Sequence, residues 1–356
     1  MTTSSTAALR LRSPSDILAA VPYLLGFHPT DSLVILGLRA RRLVFHARSD
    51  VLPVGLPAAD RAGQAEALAG LFVGQGVTQV ILVGYGDPAQ VTPTVLVVRE
   101  AMRARGLLPA EVLRATADRY WSYECDQACC PAEGVPYEVA GSVVAAAATV
   151  AGCVALPDRA AVVRTLDPPT GLALVAIQQA GERAAARLAE VLAAGSPNRL
   201  VAEGRAAVRS GLDRYGVLER PAADGAGRLS DDEVAWLSVL VTVSLPVRDW
   251  AWQGLDRRPA DREAAERLWT DVVRRCEPDL VPGPAVLLAY ALWRLGDGVR
   301  ASIAVDRALA ADPGYPAAKL IAELLRRAIP PTAMPDLVSA GRPTRRRQRA
   351  ARRRTR

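Results

Sequence analysis

A chain of 356 residues that is 50% hydrophobic is too long for one ordinary domain and has apolar material for two cores. Its formal charge of +7 is concentrated at one end, where residues 342–356 hold nine arginines and no acid, and removing those nine leaves −2. This excludes a uniformly basic body: polyanion affinity is expected only in a disordered tail (336–356), carried by Arg345, Arg346, Arg347, Arg349, Arg352, Arg353 and Arg354.

The first residues, MTTSSTAALRLRSPSD, lack the basic-then-apolar order of a signal peptide. A cytoplasmic location without membrane attachment is therefore expected. Val139 to Leu156 imitates a membrane span with 18 uncharged residues, but seven are alanine and two glycine, so a buried helix is expected there instead.

In chain order, Ser13-Pro14-Ser15-Asp16 offers an N-cap, a first-turn proline and a first-turn acid, which predicts a helix to about Leu25, ended at Gly26. The β-rich runs 32–38 and 42–48 read as a hairpin. A helix over 57–75 and an apolar strand over 77–86 imply a crossover. A helix over about 94–105 ends at Gly106, and 111–121 alternates as a further strand. Helices alternating with strands indicate a layered α/β body with a mixed or mostly parallel sheet.

From Ser142 onward only helical signals occur: 142–152, 158–165, 171–194 and 198–215. The segment ERPAADGAGRLSDDE is rich in Pro, Gly and charge, which places a linker at 219–229. The expected organisation is an α/β domain with C-terminal helices (1–218), that linker, an all-α domain (230–335) and the tail. Residues 284–316 resemble a tetratricopeptide repeat: Ala289 stands where the first helices touch, Gly296-Asp297 in the turn, Ala301 and Ala308 on the second helix and Asp312-Pro313 at its end. Flanking helices over 235–252, 264–275 and 316–328 would complete a short stack, and such stacks present surfaces for protein partners.

Chemistry-bearing residues are sparse. Cys125, Cys129 and Cys130 could supply soft ligands for zinc or copper, with Cys153 or His46 as a fourth; a redox thiol pair and a structural loop of buried cysteines are the alternatives. If the strands 77–83 and 111–118 are parallel, their carboxyl ends share an edge, which assembles a pocket from Tyr85, Asp87, Arg119, Trp121 and Tyr123. His28, Asp31 and Ser32 are neighbours in one turn, and a capped turn is expected there in preference to a catalytic triad. No phosphate loop or dinucleotide fingerprint occurs.

The segments SPSDILAAVPYLLGFHPTDSLVIL (13–36), RYWSYECDQACCPAEG (119–134) and LPDR (156–159) resemble an actinobacterial family, domain of unknown function 4192, across most of residues 9–330. The resemblance implies no activity, cofactor or catalytic residue. The expected function is that of a non-enzymatic binding or scaffold protein, with an enzyme or a metal or redox sensor centred on residues 119–130 as the alternative.

Overall fold

The computed structural model describes residues 11–195, 197–217, 227–256 and 259–333; the arginine tail lies outside the described residues. The chain divides into two compact units, Met1–Val162 and Val163–Arg356.

In the first unit, α1 (Pro14–Leu25) starts where the Ser13 hydroxyl accepts from the Asp16 amide at 3.2 Å and stops at Gly26, whose φ of 79° suits glycine. Strands β1 (Ser32–Arg39) and β2 (Arg42–Asp50) form an antiparallel hairpin. Its two-residue turn holds Ala40 and Arg41 at φ of 50° and 62°, the sense that matches the twist of paired strands. Next come α2 (Ala58–Gly74), β3 (Gln79–Tyr85) and α3 (Pro88–Ala104). The last begins six residues before Thr94, because the Asp87 carboxylate accepts from the Ala89 amide at 2.8 Å and Pro88 fits the first turn.

The single strand expected over 111–121 is two strands, β4 (Leu108–Ala115) and β5 (Arg119–Ser122). Thr116 reverses the chain: its hydroxyl donates to Asp118 at 3.1 Å and accepts from the Arg119 amide at 3.2 Å. A short β6 (Val135–Pro136) completes a mixed six-stranded sheet in the order β2-β1-β3-β4-β5-β6. Only β3 and β4 run parallel, joined through α3.

Alternate residues of the sheet bury on opposite faces. Leu33, Ile35, Val80, Leu82 and Val112 join Ala69 and Phe72 of α2 and Val95, Val98 and Met102 of α3 in one core. Val34, Leu36, Ile81, Val83 and Leu113 are buried on the other face. The buried helix expected within 139–156 is instead an eight-residue α4 (Val143–Val150), which packs on α1 through Val144 and Ala145. Its ends are open, with Val143 84% and Val150 90% exposed. Among the described residues no single helix is long and apolar enough to cross a membrane.

Helix α5 (Arg159–Arg164) runs across the division. The second unit is helical: α6 (Leu172–Ala193), α7 (Pro197–Val217), α8 (Asp231–Val243), α9 (Leu245–Gly254), α10 (Pro259–Arg275), α11 (Pro282–Leu295), α12 (Gly298–Ala311) and α13 (Pro316–Arg326). The division falls ahead of residues 219–229 because α6 packs on α8 and α7 packs on α8, α9 and α10. Arg275 fastens the arrangement, donating to Asp271 at 2.7 Å and to Asp231 at 2.6 Å, while the buried Tyr215 hydroxyl donates to Asp271. The helix expected over 235–252 breaks at Ser244, where α8 and α9 meet at 105°. Helices α11 and α12 form a hairpin, turning at Gly296 (φ 86°) and restarting where Asp297 accepts from the Arg300 amide at 2.9 Å. Ala289, Ala301 and Ala308 are fully buried in it, and Arg294 of α11 pairs with the buried Asp256, just past α9, at 2.9 Å.

Candidate functional site

The carboxyl ends of β3 and β4 open onto a cleft of about 810 Å³ in the first unit. Parallel strands joined by a helix leave such a crevice, because the chain departs from both strand ends in different directions. One wall is Tyr85-Gly86-Asp87-Pro88, where β3 passes into α3, and the next is Arg114 to Asp118 at the β4–β5 turn. Leu18 and Pro22 of α1, His28 to Asp31, and Tyr137 to Ala140 close the remainder. Leu156 anchors the histidine segment: its carbonyl accepts from the His28 amide at 2.9 Å, and its amide donates to Gly26 at 2.8 Å. The segments 13–36 and 156–159 thus meet at the cleft margin.

Asp31 holds a φ of 43°, an unusual conformation for a residue with a side chain. The expected capped turn does not form through Ser32, whose hydroxyl is buried without a hydrogen-bond partner among the described residues. Gly86 is required across from it: at φ 129°, an added Cβ would lie 2.8 Å from Asp31 Oδ1. His28 and Asp31, read from sequence as turn residues, are therefore cleft residues. Nothing local in the sequence signals this, because the contact joins a loop to the end of a distant strand.

The charges are unequal. Asp31, Asp87, Asp118 and Glu138 face Arg114 and His28 around the cleft, so its formal balance is negative. Tyr85 is 6% exposed, and its hydroxyl has no hydrogen-bond partner among the described residues. Burial, with Tyr137 nearby, pushes its ionisation well above the usual phenol range. Tyr85 therefore stands in the cleft wall as a neutral phenol whose O–H is itself buried.

Of the five pocket residues expected from sequence, Tyr85 and Asp87 line this cleft, whereas Arg119, Trp121 and Tyr123 do not. The hairpin reversal explains the difference, since β5 leads away from the edge where β4 ends. Arg119 donates to the Gly134 carbonyl at 2.9 Å, and Tyr123 shares a hydrogen bond of 2.7 Å with Thr92 of α3. Trp121, half-buried, donates to the Ala132 carbonyl at 2.9 Å and lies 3.5 Å beneath the Arg114 guanidinium. It touches the cleft only through Arg114, a cation–π contact that props a wall residue.

Beyond β5, Cys125, Cys129 and Cys130 gather with their sulfurs all within 4.8 Å of one another. Neither Cys153 nor His46 joins them among the described residues. Cys129 is exposed and the other two are half-buried, so a loop of buried cysteines is not what forms; Cys276 is the buried thiol. Hydrogen bonds from the Gln127 backbone and from the thiols of Cys130 and Cys129 hold Cys125 below the usual thiol range. The bond with Cys125 pushes Cys130 up to about 12. A negative charge on this loop thus resides first on Cys125, shared among three sulfurs.

No curated protein and no solved structure matches the chain. A family model matches residues 14–332, spanning the cleft, the thiol loop and the helical unit. The chain belongs to the family described as Domain of unknown function (DUF4192).

Proposed function

We propose that this is a binding protein whose first unit takes a small organic cation, an amine or guanidinium compound, in the cleft at the ends of β3 and β4. The observation that carries the reading is the Tyr85 hydroxyl, buried in the cleft wall with no hydrogen-bond partner among the described residues. An unmade hydrogen bond on a buried donor costs about 1 to 3 kcal/mol, and a ligand that brings an acceptor beside its charge against this wall would recover it as the covering side chains shift. The surrounding Asp31, Asp87, Asp118 and Glu138 select positive charge. A pocket of a few hundred Å³ with few convergent polar groups suits a small molecule. The acidic lining is what we read as a binding feature, and we assign the cleft binding rather than catalysis on that ground.

The helical unit is assigned to a protein partner, on the support of the α11–α12 hairpin and the helices that flank it. The arginine tail is assigned to non-specific polyanion contact.

Tyr85→Phe tests the cleft. Deleting an unpaired buried hydroxyl leaves unfolding of the unliganded protein unchanged or slightly raised. In calorimetric titration with arginine, ornithine and ethanolamine, the compound that binds wild type loses affinity by roughly 2- to 12-fold, the worth of one hydrogen bond of about 0.5 to 1.5 kcal/mol. Destabilised Tyr85→Phe protein, or binding of sugar phosphates in place of cations, overturns the reading.

A further inference from the structure

The thiol loop lies apart from the cleft residues, and its geometry carries its own conclusion. We infer that Cys125, Cys129 and Cys130 form a three-thiolate site for one soft divalent metal ion, Zn²⁺, with a fourth coordination position open to solvent.

The separation of the sulfurs is the first argument. A tetrahedral zinc with Zn–S bonds of about 2.3 Å places its sulfurs about 3.8 Å apart, and Cys125 Sγ and Cys129 Sγ are 3.7 Å apart. With all three sulfurs within 4.8 Å, one ion reaches them with small side-chain rotations. The donor set is the second argument, since clustered thiolates prefer soft ions to Mg²⁺ or Ca²⁺.

The third argument is that the loop is held at both ends and turned back on itself between them. On the upstream side, Glu124 is clamped by two arginines of α3, Arg99 at 3.1 Å and Arg103 at 2.9 Å. On the downstream side, the Ala132 carbonyl accepts from Trp121 at 2.9 Å and the Gly134 carbonyl from Arg119 at 2.9 Å. Between the clamps, the Cys130 amide donates to the Gln127 carbonyl at 2.8 Å, a turn that folds Cys129 and Cys130 back toward Cys125. Preset ligands of this kind lower the ordering cost of binding a metal. Arg119, Trp121 and Glu124 thus act as positioning residues for the thiols. Three protein ligands with one open position is the arrangement of zinc sites that bind a further ligand, in contrast to closed structural sites.

The test uses full-length protein under a non-thiol reductant, with Zn²⁺ affinity measured by competition against a chromophoric chelator. Wild type binds one equivalent. Cys125→Ser and Cys130→Ser each lose more than about 100-fold in affinity, beyond what changes outside the ligand shell produce, while Cys153→Ser is unchanged. Co²⁺ in place of Zn²⁺ gives sulfur-to-metal charge-transfer absorption in wild type that weakens in each single variant, a signature that a purely structural role for the cysteines would not move. Circular dichroism of the metal-free variants matches wild type, which separates ligand loss from misfolding. Less than one equivalent in wild type, full affinity in Cys125→Ser, or an equal loss in Cys153→Ser overturns the assignment; none of these bears on cation binding in the cleft.

Discussion

At the scale of single residues, the two tryptophans Trp121 and Trp269 separate what letters say from what burial says. Both have charged and polar neighbours in the sequence, but Trp269 on α10 is 1% exposed, whereas Trp121 is half-buried between Arg114 and the 132–134 loop. Trp269→Ala opens a cavity in a close-packed helical core and costs about 3 to 5 kcal/mol. Trp121→Ala costs less than that range, because solvent fills the space it leaves and its main losses are one hydrogen bond and the contact with Arg114. Thermal or denaturant unfolding of the two variants checks the order; a Trp121→Ala loss equal to that of Trp269→Ala would show the residue to be core. Tyr85 and Asp87 were legible as cleft residues because the end of a buried strand before a helix start is a pattern that sequence carries. His28 and Asp31 were not, because their place depends on the pairing of Phe27 with Leu156, a contact across more than a hundred residues.

At the scale of elements, boundaries written in local capping chemistry were readable. Those set by tertiary contact were not. Ser13 with Pro14, and Ser230 followed by three acids, each start a helix where expected. The Thr116 turn was hidden because alternation continues across it, and α4 proved exposed because its composition does not say what covers it. The best-defined start, that of α8, makes a quantitative prediction. Ser230 accepts from the Glu233 amide at 3.2 Å, and Glu233 accepts from the Ser230 amide at 2.8 Å, a reciprocal capping box. Ser230→Ala costs about 1 kcal/mol. Glu233 is held below its ordinary 4.5 chiefly by its hydrogen bonds from Arg214. A carboxylate whose folded value is depressed stabilises fully above its unfolded value and loses that contribution as pH falls through the folded one. Wild type therefore loses this increment below about pH 4.5, and Glu233→Gln, which has none to lose, shows a shallower decline over the same window. Because Glu233 is partly exposed, the difference is small and shrinks with added salt. Parallel acid profiles for the two proteins would show that the Arg214 contact contributes nothing.

At the scale of the whole molecule, the positive charge is concentrated in one segment of the sequence. Nine arginines lie within residues 342–356, while the remainder sums to −2, and among the lining of the cleft acids outnumber bases. On the function proposed above, this distribution would disfavour polyanions at the cleft and leave them to the arginine segment. Arginine–phosphate contacts release counterions, so binding by about five to nine of them weakens with salt at a log–log slope of about −0.9 per contact. Such contacts carry no base sequence preference. Full-length protein should therefore shift duplex DNA at low salt and release it at physiological salt, whereas a chain ending at Gly341 should not bind under either condition. Arginine at saturating concentration should leave the DNA affinity of full-length protein unchanged after correction for ionic strength, since the cleft and the tail are assigned ligands of opposite charge. Equal affinity and an equally steep slope for the truncated chain would move the contacts onto the folded units, where the charge balance offers no basis for them.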